Sequence, residues 1–188
     1  GFPVSAEVCP HHFTLTEEAA LEQGANAKVN PPLRTQRDVE ALRCGLQEGV
    51  IDAIATDHAP HAPQETALGL EEAPFGLVGL ETALGLVLTQ LVDTGVLSLP
   101  EAIAKMSTAP ARILGLPGGT LKVGAPADLT IFDPQASWRV EPEGFASQGR
   151  NTPFAGWLLR GKVMLTLVEG RPAYADPSLS RRGGEETS

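Results

Sequence analysis

Residues 50–61 read VIDAIATDHAPH: a near-continuous apolar run that breaks into one carboxylate, Asp57, and two imidazoles, His58 and His61, on either side of a proline. Just before it, residues 35–47 place Val39, Leu42 and Leu46 at helical spacing, and Gly49 separates that helix from the run. Helix, turn, apolar strand and polar loop, in that order, describe a parallel α/β unit, because a strand covered on both faces loses the polar alternation of a half-exposed one. Asp57 then stands at the carboxyl end of a buried parallel strand. Barrel and open-sheet enzymes keep their sites there, since the strand fixes the side chain and the loop after it shapes the pocket. His58 and His61 follow three residues apart, with Pro60 stiffening the loop between them. Carboxylate and imidazole together are natural metal ligands. Spacing alone leaves two readings open, a metal-dependent hydrolase and a structural polar loop, because no complete ligand set is visible.

Working outward, residues 4–8 (VSAEV) read as a second buried strand that ends in the polar loop CPHH. All four histidines of the chain therefore lie in two clusters, His11 with His12 and His58 with His61, each after a strand. For His11 and His12, loop or supporting residues and ligands are equally open readings. LTEEAALEQG, 15–24, predicts a short helix with Thr16 as N-cap and Gly24 past its end. Asn30, ahead of a proline pair, offers an amide that both donates and accepts. Residues 79–94 give the clearest helix, with Leu80, Ala83, Leu84, Val87, Leu88 and Leu91 at three- and four-residue steps. SLPE, 98–101, is a capping-box pattern opening another toward Met106, and STAPARILGL adds one more. Beyond Leu116 the chain turns β-rich, and GWLLRGKVMLTLVEGRPAYA reads as strands with a turn at RGK. Trp138 and Trp157 fall in this part, where core packing is their ordinary use.

The 188 residues, 42% hydrophobic and 20% charged, suffice for a real core, and no apolar run approaches a membrane span. A net charge of −9 lacks the electrostatic footprint of a nucleic-acid or anionic-membrane binder and favours a small-molecule or protein partner. Cys9 and Cys44 have no CxxC spacing and read as reduced thiols of a cytoplasmic protein.

Six stretches in this order, EVCPHHFTLT, KVNPPLRTQRDVEAL, DAIATDHAPHAPQET, EEAPFGLVGLETAL, GTLKVGAPADLTIFDP and RNTPFAGW, closely resemble the carboxyl-terminal portion of type I, bacterial dihydroorotases of the amidohydrolase superfamily. The resemblance covers the chain to about Tyr174. It implies an α/β fold: residues 1–115 as the last strands and helices of a (β/α)8 TIM-like metal-dependent hydrolase barrel and 116–175 as a small β-sandwich domain; residues 176–188, polar in composition, are expected to be a disordered tail. It implies Asp57 as metal ligand and general base and acid, with Asn30, His61, Phe75 and Gly76 holding the substrate. His58 becomes a neighbour of the site, and His11 and His12 support it. The family interconverts N-carbamoyl-L-aspartate and L-dihydroorotate in pyrimidine biosynthesis, with one or two zinc ions. Implied partners are the small-molecule substrate and either a second copy or aspartate transcarbamoylase.

The chain begins without Met, in what reads as the middle of a strand. The family's His-x-His pair, bridging ligand and two later histidine ligands are expected outside it, so that the chain alone is expected to be inactive. Two further readings stand beside the enzyme: a noncatalytic dihydroorotase-like scaffold of aspartate transcarbamoylase, and a hydantoinase- or allantoinase-like cyclic amidase.

Overall fold

The structure is a computed structural model that describes residues 4–182. Strands β1 (Glu7–Val8) and β2 (Ala53–Ile54) pair in parallel, Glu7 opposite Ala53 and Val8 opposite Ile54. The Ala6 carbonyl accepts the N–H groups of Asp52 and Ala53 at 2.8 and 3.3 Å, and the Val8 carbonyl accepts that of Ala55 at 3.1 Å. A parallel pair needs a crossover between its strands. It is made by α1 (Glu18–Gln23), a 3₁₀ turn over Gly24–Ala27 and α2 (Gln36–Gln47). Glu17, rather than Thr16, precedes the first of these helices. At the start of α2 the Asp38 carboxylate accepts from the Thr35 N–H at 3.1 Å and from its hydroxyl at 2.6 Å, which satisfies a donor the helix leaves unpaired. Regular pairing in the 50–56 run is confined to two residues, because among the described residues β2 has a neighbour on one edge only.

After β2 come two single-turn helices, α3 (Pro63–Thr66) and α4 (Gly69–Glu72), and then α5 (Leu80–Val87), which continues through a π-type turn, Leu88–Val92. Of the residues at helical spacing, Ala83, Val87, Leu88 and Leu91 lie within the core, joined by Leu86, whereas Leu84 is half-buried and Leu80 is exposed. Ser98 and Glu101 form the expected capping box ahead of α6 (Leu99–Ile103), followed by a second π-type turn, Ala104–Thr108, and α7 (Ala109–Leu114).

Strands β3 (Leu129–Arg139), β4 (Leu158–Val168) and β5 (Arg171–Ala175) form one antiparallel sheet in chain order. The turn expected at RGK is absent. Residues 160–162 stay within β4, since Lys162 pairs with Asp133 and Arg160 with Ser137; the extra residues, 134–136, bulge from β3 opposite Gly161, which adopts φ +88° and lies against Leu88. The hairpin turn is Glu169–Gly170, both at positive φ, the conformation that matches the twist of the flanking strands.

Two apolar clusters fill the interior. One gathers Val8, Phe13, Leu46, Ile51, Ile54, Val87 and Leu91 around β1 and β2; the other gathers Leu33, Leu77, Val78, Leu86, Val140, Phe154 and Leu159. Helix α5 supplies Val87 and Leu91 to the first and Leu86 to the second. Gly85 makes this double use feasible, because a Cβ there would meet the Leu159 side chain at 2.9 Å. Trp138 and Trp157 rest against the second cluster, Trp157 edge-on to Phe154 at 5.3 Å.

The tail expected to be disordered from 176 carries a short helix, α8 (Pro177–Arg182); its remaining residues lie outside those described. Asp176, ahead of α8, is 4% exposed and pairs with Lys162 at 2.7 Å. Lys162, then the Ser178 hydroxyl and N–H, hold its carboxyl well below the usual carboxylate range. A group depressed in this way adds stability above its unfolded pKa, near 3.8, and loses it as pH falls through the lower folded value. Asp176→Asn should therefore lower Tm more at pH 7 than at about pH 2, because most of the contribution is still present just below the unfolded value and is lost only toward the lower folded one. Equal Tm differences at both pH values would show that the ion pair contributes nothing.

Candidate active site at the mouth of the parallel strands

Asp57 follows β2 by three residues and adopts φ +47°, a left-handed conformation that short polar side chains tolerate better than most. Its side chain is exposed and makes no hydrogen bond among the described residues. It lies close enough to Cys9, at the end of β1, to raise that thiol's pKa. Burial is the larger cause, Asp57 and Glu7 add to it, and together they push Cys9 up to about 11. The two strand ends thus open onto one place, as parallel pairing requires.

The loop after Asp57 is held by its neighbours. His58 bridges to Leu77, and its Nδ1 accepts the N–H groups of Gly79 at 3.2 Å and Leu80 at 3.3 Å, at the start of α5. An accepting Nδ1 assigns the proton to Nε2, which lies 3.3 Å from Ser147 Oγ. The Ser147 hydroxyl and N–H both donate to Glu81 Oε1, at 2.6 and 2.8 Å. Burial pulls the Glu81 carboxyl upward, but the bonds from Ser147 outweigh it and leave the group below its usual range. Both nitrogens of His58 are occupied by this chain of contacts. It has the geometry of an anchor rather than a ligand.

His61 points the other way. Its Nε2 lies 2.9 Å from the Phe75 carbonyl, and its Nδ1 is 3.8 Å from Glu65. Gly76 adopts φ +130°, and a Cβ there would meet Ala59 Cβ at 2.4 Å and His61 Nε2 at 3.2 Å, so only glycine lets the two loops approach this closely. The Gly76 N–H donates to the Lys28 carbonyl at 2.8 Å, which brings the loop beside Val29 and the exposed Asn30. Lys28 Nζ in turn donates to the carbonyls of Glu71 and Ala73 and sits 4.6 Å from the Phe75 ring. The loop of Asp57 and His61, the loop of Phe75 and Gly76, and the loop of Asn30 are thus joined to one another by these contacts.

Asn151, unassigned by sequence reasoning, ties these loops together. It is 3% exposed; its Oδ1 accepts the His61 N–H at 2.9 Å, and its Nδ2 donates to the carbonyls of Ala59 at 3.0 Å and Gly76 at 3.1 Å. Its own carbonyl accepts from Val78. The stretch RNTPFAGW offered a signal, an amide ahead of a Thr-Pro pair, but its partners lie far away in the chain.

His11 is buried, and burial followed by its neighbour His12 holds it neutral with a pKa near 3. His12 Nε2 lies 2.8 Å from the Pro31 carbonyl, which joins the CPHH turn to the loop carrying Asn30. For a metal at the mouth, Asp57 fits: an exposed carboxylate with uncommitted oxygens at a strand end is a ready ligand. His58 and His61 are engaged elsewhere.

The chain matches a model of the amidohydrolase family over residues 5–173. It is 57% identical over 176 residues to a dihydroorotase of Pelotomaculum thermopropionicum and 53% identical to one of Syntrophus aciditrophicus, covering 94% of this chain and 41% of each relative. It thus spans about two-fifths of the length of these curated relatives and aligns with their carboxyl-terminal portion. Among solved structures, the L-hydantoinase of Arthrobacter aurescens superposes with a TM-score of 0.85 at 33% identity, over 92% of this chain and 39% of that one. A D-hydantoinase of a Thermus species gives 0.86 at 28% identity. These neighbours are TIM barrels, and β1, β2 and their helices are the corresponding part of such a barrel. With parallel strands ending at Asp57 and a family model spanning nearly all of its length, this chain belongs to the amidohydrolase family.

Proposed function

We propose that this chain forms the carboxyl-terminal side of a zinc-dependent dihydroorotase active site, serving the interconversion of L-dihydroorotate and N-carbamoyl-L-aspartate in pyrimidine synthesis. The observation that carries this reading is the 57% identity over 176 residues to a dihydroorotase, in a chain whose strand-end Asp57 opens the loop that His61 fastens to the Phe75 carbonyl. The likeness to hydantoinases is weaker, at 33% identity or below in the superpositions above. A cytoplasmic setting belongs to the same reading and is supported by two free cysteines. So does assembly with a second copy or with aspartate transcarbamoylase.

Asp57 is the ligand this chain supplies, and zinc bound there with ligands from the rest of the barrel would acidify water and polarise the ring amide carbonyl. In the hydrolytic direction Asp57 accepts the proton of the attacking water and delivers it to the ring nitrogen as the C–N bond breaks. Its exposure at the mouth leaves it free for both transfers. His61 is oriented by its bond to the Phe75 carbonyl, and Asn30 presents an amide that pairs with either a carbonyl or an N–H of the ring. Because the Gly76 N–H and one lone pair of its carbonyl are used within the fold, the Phe75 N–H and the second lone pair remain for substrate.

The test is a chimaera in which the unmatched amino-terminal part of the Pelotomaculum thermopropionicum dihydroorotase is joined to this chain. Dihydroorotate hydrolysis and zinc retention are expected in the chimaera, with activity reduced at least 10³-fold by Asp57→Ala and no turnover by the 188-residue chain alone. A folded, zinc-loaded chimaera that hydrolyses hydantoin and not dihydroorotate would overturn the reading.

A further inference from the structure

The candidate site leaves one group of chemically capable side chains unused. At the end of β1 the backbone reverses, with the His12 N–H donating to the Cys9 carbonyl at 3.0 Å, and this turn folds Cys9, His11 and His12 toward one another. A sulfur and one nitrogen from each ring all lie within 4.8 Å of one another, the one such group of three among the described residues.

Two observations argue for a ligand there. His11 is 1% exposed, and its Nε2 has no partner among the described residues, although a buried imidazole nitrogen ordinarily finds one. The second is the orientation of His12. Its Nε2 donates to the Pro31 carbonyl at 2.8 Å, which assigns the other nitrogen as the free lone pair, and metal-binding histidines are commonly oriented by such a bond from the opposite nitrogen. Cys9 and His12 are only half-buried, so solvent reaches the group from one side. The rings of His11 and His12 are 4.2 Å apart and tilted by 52°, close but not stacked flat.

We propose that Cys9, His11 and His12 form a three-ligand site for a borderline divalent cation of the zinc class, separate from the ligand role assigned to Asp57. One thiolate and two neutral imidazoles suit zinc and cobalt and disfavour magnesium or calcium, which take oxygen. Binding replaces the thiol proton with a sulfur–metal bond and releases that proton to solvent. Zinc–ligand bonds of about 2.0–2.3 Å require the three atoms to close to within roughly 4 Å of one another, a movement side-chain torsions can supply. The bound ion would fasten the CPHH turn to the Asn30–Pro31 loop through His12, while a fourth position stays open to water. The proposal uses none of the residues placed in the reaction.

Cobalt(II) titrated into the full 188-residue chain under reducing conditions tests it. The expected result is one equivalent bound with a near-ultraviolet thiolate-to-cobalt charge-transfer band and visible bands of a low-coordinate ion, both bleached by zinc. Cys9→Ser and Cys9→Ala should each remove the charge-transfer band. His11→Asn and His12→Asn should each weaken binding by roughly tenfold or more, while Cys44→Ser and Asp57→Asn leave the band in place. Absence of the band in the parent chain, its survival in both Cys9 variants, or its loss in Cys44→Ser would overturn the site. Circular dichroism of each variant separates loss of ligand from loss of fold.

Discussion

Asn151→Ala is expected to destabilise the chain by about 3–5 kcal/mol, measured by urea unfolding. The substitution leaves the His61 N–H and the carbonyls of Ala59 and Gly76 without their partner, in a place too enclosed for water to replace it fully. Each orphaned buried group costs about 1–3 kcal/mol, and some relaxation keeps the total below the sum. Asn151→Asp gives a second arm. Its carboxylate still accepts from His61 but cannot donate to either carbonyl and sets a charge against both, so it should be no milder than alanine. Hydrogen exchange at His61 and Gly76 should quicken in both variants. A loss below 1 kcal/mol with unchanged exchange would show that Asn151 does not hold these loops.

Gly76→Ala should have an effect of similar size by a different route. The added Cβ lies 2.4 Å from Ala59 Cβ, an atom fixed to the backbone with no torsion to swing it aside, and φ +130° is itself strained for any L side chain. Overpacking of a fixed contact costs about 1–3 kcal/mol, and backbone strain in a sparsely populated region a similar amount. Ala59→Gly separates the two causes. Combined with Gly76→Ala it should recover the steric part, and the double-mutant cycle should show a coupling of about 1 kcal/mol or more between the positions. Strict additivity would place the whole cost in the backbone and refute the close approach of the two loops.

The elements most legible in the sequence were those whose causes are local. Ser98 and Glu101 announce α6 because a capping box is closed within four residues, and residues 80–91 announce α5 because burial repeats at the helical period. Asp57 was legible as a strand-end carboxylate for the same reason: an apolar run and a polar loop are adjacent in sequence. The course of β4 through residues 160–162 was not. RGK has the composition of a turn, and partners distant in sequence keep it inside a strand: Leu88, against which Gly161 packs, and Trp138, whose indole N–H donates to the Gly161 carbonyl. Asn151 was hidden similarly, since its side-chain partners lie 75 to 92 residues earlier and no local pattern marks them. His58 illustrates the converse. Its residue type suggested metal chemistry, whereas its surroundings, two helix N–H groups and Ser147, use both nitrogens for architecture.

The placement of α5 between two apolar clusters bears on how this chain can be cut and recombined. Composition changes near residue 116, and a crossover there would look natural to anyone shuffling modules by sequence. Such a crossover would hand Leu159 and Phe154 to one parent and Leu86 and Gly85 to the other, although they form a single interlocked surface. A foreign sheet would have to reproduce the fit against Gly85 to dock at all. The β-rich segment is thus inherited with α5, and the heritable unit in this part of the chain is the helix and sheet together.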